Sequence, residues 1–124
     1  VSTPSQTGLI ATVPLTTVPL TFGALGDPVR CALVEHLGKR GELTVGELAA
    51  LFPITLQGVS KHIKVLEQAG VVSQRRDGRH RPVALQPQAL LLAGSWLEVR
   101  RRELDARFER LDDLLAELQS QGGR

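Results

Sequence analysis

Gln57, Ser60, Lys61 and Lys64 lie in the stretch TLQGVSKHIKVLEQAG, residues 55–70. At about 100° per residue, Gln57, Lys61 and Lys64 fall within about 60° of one another on a helical wheel, and Ser60 flanks them. Val59, Ile63 and Leu66 gather on the opposite side and should face a core. A glutamine amide can pair bidentately with an adenine edge, and a lysine can reach a guanine or a phosphate. Directly downstream, VVSQRRDGRHRPVAL concentrates Arg75, Arg76, Arg79, His80 and Arg81. Those side chains suit contact with a phosphate backbone or a minor groove. Residues 57–81 carry six Lys or Arg against two acids, a local excess of +4. A solvated helix face would use the same residue types as Gln57, Lys61 and Lys64. The basic stretch beside it is what favours a surface that reads a polyanion.

The whole chain says less than this local excess. Its 124 residues suggest one domain, and an apolar content of 42% suffices for a modest core. Aromatic residues are only 3%, so Leu, Val and Ala must fill that core. The net charge of +2 does not by itself argue for a nucleic-acid partner. Residues 98–117 reverse the local balance, with five Arg against seven acids. The one cysteine, Cys31, excludes an intrachain disulfide and a Cys-rich zinc site. A reduced, cytoplasmic setting is the expectation. The first twenty residues lack a basic start and are cut by Pro4, Pro14 and Pro19, so neither a signal peptide nor a membrane span is expected. No phosphate loop, nucleophile elbow or paired His-acid motif is visible, which argues against an enzyme.

Local signals predict the elements that must hold these residues. Residues 1–14 read as a flexible arm, and residues 12–21 repeat the pentapeptide TVPLT. A short helix should begin near Pro19, with Gly26 ending it in the left-handed conformation. Asp27-Pro28 caps and starts a second helix, about 28–37, with Val29, Ala32, Leu33 and Leu37 on its apolar side. Thr44 followed by Glu47 is a capping box for a third helix, about 45–51. Thr55 is a good cap for the fourth, 55–69, which Gly70 can close. Two short helices joined by a four-residue turn predict helix-turn-helix. Strands 71–76 and 80–85 around Asp77-Gly78 predict a hairpin, with both turn positions at positive φ. Pro82 confines the second strand to an edge or to its own start. Leu90, Leu97, Leu104, Leu111 and Leu118 then recur every seven residues, with Gly94, Arg101, Phe108 and Leu115 between them. The expected fold is mostly α with a small β-hairpin wing: a winged helix over 15–86, a long dimerisation helix over 87–119, and a tail, 120–124.

With this order of elements, FGALGDPVRCALVEHL, ELTVGELAALFPITLQGVSKHIKVLEQAGVV and RRDGRHRPVAL resemble the ArsR/SmtB-type winged-helix repressors over about residues 20–85. The resemblance implies a homodimer that represses transcription from a pseudo-palindromic double-stranded DNA operator. It places helix 55–69 in the major groove and wing 71–85 on phosphates or the minor groove. It makes Thr55 a phosphate contact and Gln57, Ser60 and Lys61 base or backbone contacts. It also implies a dimer interface on the long terminal helix, where Leu97, Leu104, Phe108, Leu111 and Leu115 lie. Two departures bear on sensing. Thiol-based metal sensors of the family carry Cys-Val-Cys where this chain has Thr44, Val45 and Gly46, and neither Thr44 nor Gly46 offers a soft ligand. Other members bind zinc through acids and His on the last helix, but residues 86–118 contain no histidine. No metal and no cofactor is expected. A third departure is Ala84, where members often have an aromatic residue.

His36, His62 and His80 form no i, i+4 pair with another His or Cys. His36 reads as a helix C-terminal charge, His62 as the rim of the core face and His80 as part of the wing. Cys31 reads as a small packed residue. Two alternatives accompany the repressor reading. One is a winged-helix protein-interaction module whose basic face meets an acidic partner. The other is a repressor that senses redox or metal through Cys31, or responds to an unknown effector or partner protein.

Overall fold

The computed structural model describes residues 15–122. The 1–14 arm lies outside the described residues, as do 123 and 124. Helix α1 spans Thr17–Leu25 and α2 spans Pro28–Arg40. Strand β1, Leu43–Thr44, leads into α3, Val45–Ala49. Helix α4 is Leu56–Gln68, and β2, Val72–Gln74, and β3, Pro82–Leu85, follow it. The last helix, α5, is Pro87–Gly122. The chain divides into two compact units, one up to Ala93 and one from Gly94.

The first unit is a winged helix-turn-helix. Its core joins Leu33 and Leu37 of α2, Val45 and Leu48 of α3, and Val59, Ile63 and Leu66 of α4 to Val71, Val72 and Val83 of the hairpin. Burying one such side chain contributes about 1.5–3 kcal/mol, so these residues fix how α4 is rotated about its axis. The local signals mostly hold. Asp27 Oδ2 accepts from the Val29 and Arg30 amides at 2.9 and 3.1 Å, with Pro28 in the first turn. The capping box is complete: the Glu47 amide donates to Thr44 Oγ1 at 3.1 Å, and the Thr44 amide donates to Glu47 Oε1 at 2.9 Å. Gly70, at φ 77, closes α4 as expected.

Several expectations need correction. Gly26 has φ −77 and is not left-handed. Its amide bonds back to Gly23 O at 3.2 Å, a tightened last turn that ends α1 without a positive φ. Helix α2 continues to Arg40 and ends at Gly41 instead of at Leu37, because Gly41, at φ 79 and ψ −149, adopts a conformation open chiefly to glycine that turns the chain out of the helix. The sheet has three strands in the order β1-β3-β2, all antiparallel. Pro82 therefore begins the central strand, which it can do because a first residue need not donate. The hairpin turn is centred on Gly78-Arg79: Asp77 and His80 exchange both backbone bonds, at 3.0 and 2.9 Å. Only Gly78 has positive φ, 63°, as at the first central position of a type II′ turn. Cys31 is exposed, not packed. It lies two positions before the fully buried Leu33, about 200° away on the helix. His36 packs edge-on to Phe52, with ring centroids 5.7 Å apart. Helix α5 also takes in residues 120–122, read above as tail.

Candidate nucleic-acid interface

The N-terminus of α4 is set by Thr55, whose Oγ1 accepts from the Gly58 amide at 3.0 Å. That bond satisfies one of the first-turn donors and leaves the hydroxyl proton to donate outward. Burial of Val59, Ile63 and Leu66 then turns Gln57, Lys61 and Lys64 to solvent, and all three are exposed. Ser60 is half-buried. A cleft of about 300 Å³ joins Ser60 and Leu56 of α4 to Thr44, Val45 and Gly46 and to Arg79, His80 and Arg81 of the hairpin. Helix and wing are thus adjacent on one surface. Ser60 is the site residue of α4 that lines this cleft with the wing, while Gln57, Lys61 and Lys64 stand outside it.

The wing residues divide in two. Among the described residues, Arg76, Arg79 and Arg81 form no ion pair, nor do Lys61 and Lys64. Arg75 is different. Its Nη2 donates to Glu42 Oε1 at 2.8 Å and its Nε to Glu42 Oε2 at 3.3 Å, while Nη1 lies 3.7 Å from Asp77 Oδ2. Glu42 holds the Arg75 guanidinium above its ordinary pKa. Arg76 and Arg81 share a shallow hollow of about 290 Å³ with Glu67, Gln74 and Arg75. There Gln74 Nε2 donates to Glu67 Oε1 at 3.1 Å, tying β2 to the last turn of α4.

Three charged residues outside the expected site shape it. Glu42 reaches Arg75 across a sequence separation of 33 residues, so no local spacing reveals it. Glu47 of the capping box is held below its ordinary pKa, chiefly by the Thr44 amide, and lies close enough to His80 to feel its charge. Arg30 reaches His62 on the inner side of α4. The Asp27–Pro28 cap signal and the His62 rim position were both legible in the sequence, but their meeting was not.

The unit from Gly94 is helical, and its surface is banded. Leu97, Leu104, Phe108, Leu111 and Leu115 are between 49% and 59% exposed and form an apolar stripe along the helix. Arg101, on the same heptad line as Phe108 and Leu115, pairs within the helix with Glu98 and Asp105, both at 2.7 Å, and Arg100 pairs with Glu103 at 2.8 Å. Arg100 also lies over the Trp96 ring, 5.0 Å from its centroid. Among the described residues, no three His, Cys, Asp or Glu side chains come together as a metal-binding group. No helix of the described residues is long and apolar enough to cross a membrane.

A family model described as a helix-turn-helix domain matches residues 25–75. The HTH-type transcriptional regulator YuzN of Bacillus subtilis (strain 168) is 39% identical over 85 residues, covering 62% of this chain and 91% of YuzN. The transcriptional repressor SdpR of the same organism is 33% identical over 76 residues, covering 61% of this chain and 83% of SdpR. Among solved structures, the crystal structure of an ArsR family transcriptional regulator superposes with a TM-score of 0.66 at 32% identity, covering 72% of this chain and 91% of that one.

Proposed function

The chain belongs to the ArsR/SmtB family of winged-helix, DNA-binding transcriptional regulators, and on that premise we propose that it is a repressor that binds a pseudo-palindromic operator as a homodimer. In this reading α4 enters the major groove, with Gln57 and Lys61 at base edges. Thr55 meets a phosphate at the helix N-terminus, where the exposed amides and the helix dipole favour an anion. Ser60 and Lys64 hold the backbone on either side, and Arg76, Arg79, His80 and Arg81 extend the contact through the wing. One observation carries the reading: the α4 N-terminus and the basic hairpin line a single cleft, so one duplex can meet both. A protein-interaction face would not need that juxtaposition. SdpR, a relative named as a repressor, supports the direction of regulation.

The apolar stripe Leu97, Leu104, Phe108, Leu111 and Leu115 supplies the dimer contact in this proposal, because two copies would cover each other's stripe. We assign no metal to the release step. Thr44, which stands where family thiol sensors carry cysteine, is used as the cap of α3. In this reading release follows a partner protein, a small molecule or simply the abundance of the protein itself. Footprinting on the DNA upstream of its own gene tests the proposal. The expected result is a protected dyad whose half-sites lie about one helical turn apart, about 10–10.5 base pairs. Binding with no preference over random duplex would refute the operator reading.

A further inference from the structure

The wing stands on short ladders. Strand β1 has two residues, β2 three and β3 four. Beyond them the hairpin tip is joined by the Asp77–His80 pairing. Ladders this short hold a hairpin only marginally without packing. Val72 and Val83 anchor the base of the hairpin in the core, so the aim of Arg76, Arg79 and Arg81 beyond them depends on what pins the hairpin toward its tip.

Glu42 and Arg75 provide such a pin. Glu42 precedes β1 at one edge of the sheet, and Arg75 follows β2 at the other. Their side chains meet over β3 between them. The pair, with Asp77, lines a hollow of about 520 Å³ whose other walls include Pro82, Glu47 and His80. Both edges of the Glu42 carboxylate are engaged, at 2.8 and 3.3 Å. Most exposed ion pairs contribute little, but a bidentate Arg–carboxylate pair with a second carboxylate nearby has the geometry that does matter. The surroundings also matter for DNA. Three carboxylates, Glu42, Glu47 and Asp77, line the hollow that Arg75 occupies, so a phosphate approaching from that side would be repelled. Arg76 and Arg81 line a second hollow with Gln74 and Glu67, which Arg75 also borders, but neither of them lines the acidic one.

We propose that Glu42 is a positioning residue for DNA binding, and that Arg75 is its partner in a clamp across the sheet rather than a phosphate ligand. The clamp fixes the hairpin so that Arg76, Arg79 and Arg81 meet the backbone. This rests on the reading that the wing contacts DNA, and it removes Arg75 from the contacts expected of the wing.

The test compares Glu42→Ala, Arg75→Ala, the double variant, and the exchanged pair Glu42→Arg with Arg75→Glu. Both sites are exposed, and each of the four variants is measured as the full chain. Operator affinity is measured against salt concentration. Hydrogen exchange of the His80 amide, which donates to Asp77 O at 2.9 Å, is measured without DNA. A clamp predicts that each single variant weakens binding about three- to tenfold, the scale of ordering one or two side chains. The salt slope stays unchanged, and the double variant is no worse than either single one. His80 exchange speeds up in both single variants, and the exchanged pair restores affinity and protection. If Arg75→Ala lowers the salt slope by about one unit, Arg75 is a phosphate ligand and the clamp is wrong. Tighter binding by Glu42→Ala, or additive losses, overturns it equally. If the wild-type chain binds no DNA, the reading of the wing fails, and the exchange measurement still decides the clamp: unchanged His80 exchange in Glu42→Ala refutes it.

Discussion

Arg30 Nη1 lies 3.3 Å from His62 Nδ1, and the same guanidinium donates through Nε to the Ala24 carbonyl at 2.6 Å. Asp27 Oδ2 is 3.9 Å from the same ring nitrogen. One side chain thus joins the end of α1, the start of α2 and the inner side of α4. Ala24 is in the last turn of α1, where carbonyls lack intrahelical donors. Arg30→Ala should therefore destabilise the fold by about 1–2 kcal/mol, since a charged donor is lost from a carbonyl with few alternatives. Urea unfolding measures this directly. An unchanged midpoint would show that water replaces the guanidinium without cost.

Thr55 is asked to do two things, cap α4 and meet a phosphate, and substitution can separate them. Thr55→Ala removes the acceptor for the Gly58 amide and should cost about 1 kcal/mol of stability. Thr55→Asp keeps a good cap and suits the positive end of the helix dipole, so stability should hold or rise. The added carboxylate would face the incoming phosphate, so DNA affinity should fall sharply. Thermal melting beside a binding titration checks both halves. Full DNA affinity in Thr55→Asp would place the phosphate elsewhere.

Asp27 and Glu47 are both held below their ordinary pKa, Asp27 chiefly by the Arg30 amide and Glu47 chiefly by the Thr44 amide. A carboxylate whose folded pKa is depressed stabilises the fold above its unfolded pKa. It loses that contribution as pH falls through the folded value. Stability should therefore be level near neutrality and decline below about pH 4, where both groups take up protons. Asn caps about as well as Asp but does not titrate in this range. Asp27→Asn should melt close to wild type near neutral pH and lose less on acidification. Parallel acid curves for the two proteins would mean that other groups drive the loss.

How much of this was legible follows the range of each interaction. Asp27-Pro28, Thr44 with Glu47, and Thr55 act within three residues, so spacing alone reveals them. The rotation of α4 was legible because Val59, Ile63 and Leu66 keep the helical period. Strand β1 was not, since two residues carry no period and pairing with Val83 and Pro82 makes it a strand. The turn lies one residue beyond Asp77-Gly78 for a related reason. The ladder pairs Val72 with Leu85 and Gln74 with Val83, and that register centres the loop on Gly78-Arg79. Asp77-Gly78 is a strong local turn signal, but register overrides it. The residue type of Cys31 suggests packing, but its position opposite Leu33 exposes it. The partners of Arg75 and Arg30 depend on tertiary pairing, which no local pattern encodes.

Lys61 and Arg79 should fail differently when replaced by Ala. Lys61 is exposed on the outward face of α4, and Arg79 lies in the turn of the wing. If Lys61 reads a base edge, its loss should cost about 1–3 kcal/mol on the operator and relax sequence preference. Arg79 should lose affinity for all sequences alike and lower the salt slope by about one unit. Titrating operator and random duplex over a range of salt distinguishes the two. Equal, sequence-blind losses would mean that Lys61 meets only phosphate.

The stripe on α5 sets the last expectation. Phe108 and Leu111 are 59% and 52% exposed, and apolar side chains at heptad spacing on a helix are ordinarily covered by a second helix. Arg101, the charged position on this heptad line, is already paired within the helix with Glu98 and Asp105, so it does not require a partner. The apolar stripe is what a second copy would cover. Phe108→Glu and Leu111→Glu should each shift the chain from dimer to monomer at micromolar concentration, because a carboxylate would then be buried unpaired in the seam. The same changes should leave the first unit folded, since its buried residues all precede Gly94. Operator affinity should fall with dimerisation, because one half-site then binds alone. Sedimentation of wild type and variants is the check. A wild-type monomer would remove the dimer from the proposal, and variants that stay dimeric would move the interface off this stripe.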